Sequence, residues 1–169
     1  MNILETKRTI LRKVTADDAE FILDLLNQPS FIRFIGDRNV RTIDEARDYI
    51  ASRFTESYQK FGFGMWAVEL KLTNQRIGIC GFVKRDSLPD ADIGFAFLPQ
   101  YERKGYAFES ALAALEYGTN SLNLKRVLAI TSKDNESSGK LLGKLNFKFE
   151  RLIALPGDDE ELKLFSTDA

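Results

Sequence analysis

Residues 98–110 read LPQYERKGYAFES, and the way this stretch folds decides how the rest of the chain is arranged. An apolar run with strand character, ADIGFAFL (91–98), stops at Pro99, and a helical pattern begins near Gly105. Between them stand two cations, Arg103 and Lys104. The first amides of a helix have no partner within it and lie at the positive end of its dipole. Gly105 carries no side chain, so a phosphate can come close to that backbone. One reading is therefore a strand–loop–helix turn that receives a compact anion. The other is a solvated loop in which glycine supplies a left-handed turn.

Upstream, MWAVELKL (65–72) and RIGICGFV (76–83) are rich in β-formers and are separated by Thr73-Asn74-Gln75, the pattern of an antiparallel hairpin. KRTILRKV (7–14) is a further strand. Thr15-Ala16-Asp17-Asp18 starts a helix with Phe21, Ile22, Leu25 and Leu26 on one face, closed by Pro29. Thr42-Ile43-Asp44-Glu45 is a capping box, and Ala46, Tyr49, Ile50, Phe54, Tyr58 and Phe61 follow at helical spacing.

Downstream, residues 105–122 predict a helix with Ala111, Leu112, Leu115 and Leu122 inward. RVLAITS (126–132) is a strand, and 135–145 is a helix with Ser138, Leu141, Leu142 and Leu145 on one stripe. FKFERLIAL (147–155) and ELKLF (161–165) close the chain around a turn at Pro156-Gly157-Asp158. The order β-α-α-β-β-β-α-β-α-β-β predicts an α+β fold, a mixed sheet between helices on both faces, as a single domain over residues 1–169. If ADIGFAFL and RVLAITS run parallel and diverge, a linear ligand fits between them.

Composition narrows the chemistry. The 24 basic and 25 acidic residues nearly cancel, which argues against a duplex nucleic-acid partner. No stretch approaches the ~20 apolar residues that span a bilayer, and no basic-then-apolar leader is present, so a cytoplasmic protein without a membrane partner is expected. Cys80 lies in the apolar run IGICGF and reads as a small buried hydrophobe. With no histidine, the Ser-His and Cys-His arrangements and most zinc sites are excluded, and no metal is expected. Gly62-Phe63-Gly64-Met65-Trp66-Ala67 has the loose form G-x-G-x-x-A, but it follows a helix and opens a strand, the wrong context for a dinucleotide fingerprint.

Taken in order, Glu5-Thr6-Lys7-Arg8-Thr9-Ile10-Leu11-Arg12, Asp17-Asp18-Ala19, Ile77-Gly78 with Gly81, Ile93-Gly94-Phe95, Lys104-Gly105-Tyr106-Ala107 with Glu109, Asn135 with Ser138, and Lys144-Leu145 with Phe147 resemble the GNAT N-acetyltransferase superfamily. The resemblance is strongest to its ribosomal-protein-alanine N-acetyltransferase branch. It implies a GNAT-type sheet, mostly antiparallel, whose central parallel strands splay. It further implies acetyl-CoA as co-substrate, with the amides from Arg103 through Lys104, Gly105 and Tyr106 to Ala107 holding the diphosphate. The pantetheine arm would add to the strand edge at Phe97 and Leu98, with Asn135 and Ser138 near the thiol end. The chain departs from the family pattern at Glu102-Arg103, where arginine, glutamine or tryptophan followed by glycine is usual, and at Phe108, Leu142 and Asn146, where a threonine, a tyrosine and a glycine are usual.

Acetyl transfer to an amine needs a proton acceptor, a stabilised oxyanion and a proton for the departing thiolate. A backbone N–H near Phe97 suits the oxyanion. Asp92, at the head of the same strand, is the candidate base or water-positioner, with Glu69 second; Ser138 is the candidate proton donor. Each has a plainer reading: Asp92 as a strand-end residue, Asn135 as an N-cap, Ser138 as a serine bonded within its helix, and Glu109 as a partner of the helix dipole. Phe31, Phe34 and Ile35 either wall the acceptor pocket or pack in the core. The expected partner is an amine, on a small molecule or a protein N-terminus, and the enzyme works as a monomer or homodimer. A non-catalytic acyl-CoA-binding module is the alternative.

Overall fold

The structure is a computed structural model that describes residues 2–167. Its strands are β1 (Asn2–Glu5), β2 (Thr9–Lys13), β3 (Met65–Leu70), β4 (Arg76–Val83), β5 (Asp92–Phe97), β6 (Leu128–Ser132), β7 (Phe147–Ile153) and β8 (Leu162–Thr167). They form one sheet in the order β1-β2-β3-β4-β5-β6-β8-β7. Only β5 and β6 pair in parallel among the described residues; the other neighbours are antiparallel. The helices are α1 (Ala19–Leu26), α2 (Pro29–Phe34), α3 (Ile43–Tyr49), α4 (Glu56–Phe61), α5 (Tyr106–Asn120) and α6 (Glu136–Lys144). The α+β layering with helices on both faces is as the sequence predicts.

Strand alternation sorts the faces. Trp66 on β3 and Phe82 on β4 meet edge-to-face at 5.9 Å, and Tyr117 of α5 stands 5.7 Å from Trp66. Because the sheet supplies these large rings, α5 buries small residues against them: Ser110, Ala111, Ala114 and Gly118. A Cβ on Gly118 would stand 2.9 Å from the Phe82 ring, so glycine sets how closely the helix approaches. Leu112, expected inward, is instead 40% exposed.

On the opposite face, Asp18 heads α1 with no exposed side chain. Its carboxylate accepts from Arg12 on β2 (2.8 Å), from Arg76 on β4 and from the Thr15 amide. Arg12 also reaches Glu69 at 2.6 Å. Glu69 is thereby committed to an ion pair.

Three local expectations change. Asn2–Glu5 adds an unexpected edge strand, antiparallel to β2. Pro29 opens α2 at its first turn as well as following α1, the position where a missing N–H costs nothing. The helical run 42–61 is interrupted by a wider π-type stretch over Ile50–Thr55. Its buried residues Ala46, Ile50, Phe54 and Tyr58 recur every four positions. An α-helix turns every 3.6 residues, so such a row drifts off one face, and a wider turn recovers the alignment. No helix among the described residues is long and apolar enough to cross a membrane.

Candidate active site

The site begins where β5 and β6 part. Their pairing consists of Asp92 opposite Leu128, supported by the Leu128 amide donating to the Ala91 carbonyl at 2.9 Å. Beyond that pair the strands diverge. Leu98 donates its amide to Ile77 on β4 at 2.9 Å, and antiparallel pairs alternate between bonded and non-bonded positions. The main-chain groups of Phe95 and Phe97 therefore point away from β4, into the gap. In the middle of an eight-stranded sheet, Gly94, Phe95 and Ala96 are only half-buried. Buried backbone groups are nearly always paired, so this edge is set to receive an extended ligand. Thr131, buried on β6 three residues past the joined pair, keeps its hydroxyl without a partner among the described residues.

At the wide end, Pro99–Tyr101 forms one tight turn and the Tyr101 hydroxyl donates to Gln75 at 3.0 Å. Arg103 (φ +61°) and Gly105 (φ +85°) then take left-handed conformations that swing the chain into α5. Gly105 is the N-cap and offers no side-chain acceptor. The first bond of the helix runs from the Glu109 amide to the Gly105 carbonyl at 3.0 Å, which leaves the amides before it turned outward. Arg103, Lys104 and Gly105 are exposed, and Tyr106 and Ala107 half-buried.

A brace outside the loop adds contacts that the local sequence pattern does not show. Arg8, on the turn into β2, donates from Nη1 to the Lys104 carbonyl at 3.0 Å and from Nε to Glu109 at 2.7 Å. Its guanidinium lies over the Tyr106 ring, 4.3 Å from the centroid. Glu109 also accepts from the Arg8 amide (2.8 Å) and the Thr6 hydroxyl (2.5 Å). Partial burial opposes ionisation of Glu109, but these donors outweigh it and hold the carboxyl below its ordinary pKa.

Because β5 and β6 are parallel, Phe97 with the 103–107 loop and the start of α6 follow the same, open end of the gap, whereas Asp92 is set apart. Asp92 sits at the joined end, roughly 16 Å along the strand from Phe97 at ~3.3 Å per residue. It is 2% exposed and accepts from Arg85 Nε at 3.0 Å. Burial pushes its carboxyl above the ordinary aspartate range, against the pull of Arg85 and Lys84. Leu98 spends its amide on Ile77 and its carbonyl on Tyr101. Leu142 is a core residue, 1% exposed, so no side chain there reaches the site.

The side chain of Asn135 is an N-cap, accepting from the Ser138 amide at 3.2 Å. Asn135→Ala is expected to lower stability by about 1 kcal/mol, seen as a small shift of the denaturation midpoint. Ser138 is half-buried one turn into α6. Phe31 is buried in the core at 7% exposure, Phe34 is half-buried, and Ile35 is exposed. Arg33 of α2 reaches Asp134, beside Asn135, at 3.2 Å. Asn146 takes φ +67°, the left-handed turn into β7 that glycine would also fill. Among the described residues no cluster of acidic or cysteine side chains could hold a metal.

Residues 8–148 match the family model described as the acetyltransferase (GNAT) domain. The chain belongs to the GNAT acetyltransferase family. The uncharacterized N-acetyltransferase YoaA of Bacillus subtilis is 34% identical over 152 residues, covering 89% of this chain and 85% of its own length. A ribosomal-protein-alanine N-acetyltransferase of Escherichia coli is 29% identical over 108 residues, 63% of this chain and 54% of that protein. A solved ribosomal alpha-N-protein acetyltransferase in complex with coenzyme A superposes with a TM-score of 0.77 at 16% identity, covering 98% and 97% of the two chains. The GNAT fold and N-acetyltransferase identity stand on these likenesses; this member's parted strands and Gly105 loop are where its chemistry has to be sought.

Proposed function

We propose that this GNAT protein transfers the acetyl group of acetyl-CoA to a primary amine, on a protein N-terminus or a small molecule, by direct attack in a ternary complex. One observation carries the reading: the main-chain edge at Phe95 and Phe97 opens into a gap whose wide end is the positive, uncapped start of α5 at Gly105. A carrier with an amide-rich arm and a diphosphate fits that order of groups. The arm pairs with the β5 edge, and the amides around Arg103, Lys104, Gly105, Tyr106 and Ala107 hold the diphosphate.

The amine nitrogen forms a bond to the thioester carbon while a main-chain N–H at Phe97 or Phe95 stabilises the oxyanion. The C–S bond then breaks and the thiolate takes a proton, either directly from a water or relayed from that water through the Ser138 hydroxyl, which is reprotonated as it gives its own. The ammonium proton lost by the nitrogen passes to water in the gap, and a chain of waters carries it toward Asp92 at the joined end, whose carboxyl burial raises above the ordinary aspartate range. Phe34 and Ile35, with Arg33 held against Asp134, border the acceptor side. Phe31 supports them from the core.

An amine panel with acetyl-CoA, followed by release of free CoA thiol, tests the reading. The panel includes alanine- and serine-terminated peptides and polyamines. Coenzyme A bound tightly with no turnover on any amine would leave a non-catalytic binding module instead. Asp92→Asn is expected to lower kcat/KM by at least about tenfold. Activity needs ionised Asp92, so in the wild type it is lost as pH falls through the raised pKa; the variant lacks that limb. An unchanged pH profile in Asp92→Asn removes Asp92 from the mechanism.

A further inference from the structure

The Arg8 brace has no part in the proposed chemistry, yet it is the most densely bonded polar cluster beside the loop. Two of its contacts fall on the loop itself, at the Lys104 carbonyl and the Tyr106 ring, and a third on Glu109 in the first turn of α5. Glu109 is in turn fixed by Thr6 and by the Arg8 amide, so the guanidinium is held from behind. A Cβ on Gly105 would stand 3.1 Å from Arg8 Nη2, which places the cation directly behind the left-handed glycine. Tyr106 also meets the Tyr101 ring edge-on at 6.5 Å, but the stretch before it has no such anchor among the described residues. Gly105 lacks a capping side chain, Arg103 sits in a strained region for a non-glycine residue, and Glu102, Arg103 and Lys104 are exposed. A loop of this kind samples many conformations unless something outside it fixes one.

We propose that Arg8 and Glu109 are positioning residues for the cofactor. Together they lock the 103–107 loop, before any ligand arrives, in the conformation that aims its amides at a diphosphate. Arg8 does this with charge-assisted bonds and a planar stack that a lysine ammonium cannot reproduce. The brace also supplies a cation beside a loop that opens with Glu102. The inference rests on the acetyl-CoA reading for its function but not for its geometry.

The test uses the full chain with Arg8→Lys, Arg8→Met and Glu109→Gln, and two independent readouts. With the protein alone, amide hydrogen exchange over 103–110 is expected to quicken in each variant while the sheet core exchanges as before. With coenzyme A, the Kd and the KM for acetyl-CoA are expected to rise about tenfold in Arg8→Lys, the loss of one or two charged hydrogen bonds. By contrast, kcat at saturation, and kcat/KM with S-acetylpantetheine, which lacks the diphosphate, should stay within about twofold. Exchange and coenzyme affinity both unchanged in Arg8→Lys would overturn the proposal, and so would a fall in kcat equal for both donors. If Arg8→Met does not fold, the two conservative variants decide. If the wild type itself fails to bind coenzyme A, the acetyl-CoA reading falls, and the exchange readout alone decides whether the brace orders the loop.

Discussion

Gly105→Val is expected to weaken coenzyme A binding about 100-fold, with kcat/KM falling in step, while the protein stays folded. Two costs combine. Valine is β-branched and is rarely found at φ +85°, so the loop must abandon its left-handed turn or carry strain of about 1–3 kcal/mol. A side chain there also meets Arg8 Nη2 at 3.1 Å and pushes the guanidinium off the loop it holds. Loss of about 2.7 kcal/mol of binding corresponds to the 100-fold figure. Titration calorimetry with coenzyme A, beside a melting curve without ligand, separates binding from folding. Near-native affinity in a folded Gly105→Val protein would show that the diphosphate does not sit there.

Asp18→Ala is expected to cost about 3 kcal/mol of stability. The side chain is fully buried, and its removal strips Arg12 and Arg76 of a shared partner and the Thr15 amide of its acceptor. Breaking a buried pair from one side typically costs 3–5 kcal/mol, and the lower end applies because Glu69 remains on Arg12. At about 2–4 °C per kcal/mol for a chain of this size, the melting temperature should fall by roughly 10 °C. The pH dependence has a definite sign. Burial opposes ionisation of Asp18, but the bonds from Arg12 and Thr15, with the charges of Arg12 and Arg76, outweigh it and lower the pKa. The contribution is therefore present above the unfolded pKa and lost as pH falls through the depressed folded value. In strong acid the wild type and Asp18→Ala should converge; an equal gap at neutral and acidic pH would assign the loss to packing.

The strands were the most legible part of the chain. Arg76–Val83 appears with the boundaries its β-branched run predicts, because both faces of that strand are buried. The errors have local causes. NILE is too short to show a period, and its strand character comes from β2 beside it. The inward face of α5 is not marked by large apolar residues, because the large groups belong to the sheet. In the site, the glycine loop was readable from strand, breaker and helix order, whereas the Phe97 edge came only from the family resemblance. Phe95 was not readable, since which amides face the gap depends on register with β4. The partnership of Arg8 with Glu109 spans 101 residues, and only a charged pair in two separate motifs pointed toward it.

Cys80, on β4, is fully enclosed by the core, and burial pushes its thiol up to about 12. As the single sulfhydryl of the polypeptide, it stays mute toward aromatic disulfide reagents while the fold holds. Any colour such a reagent develops comes from liberated coenzyme alone, so turnover can be followed continuously without masking the protein. The same reagent becomes an alarm for unfolding, since one equivalent of extra signal means that the sheet has opened.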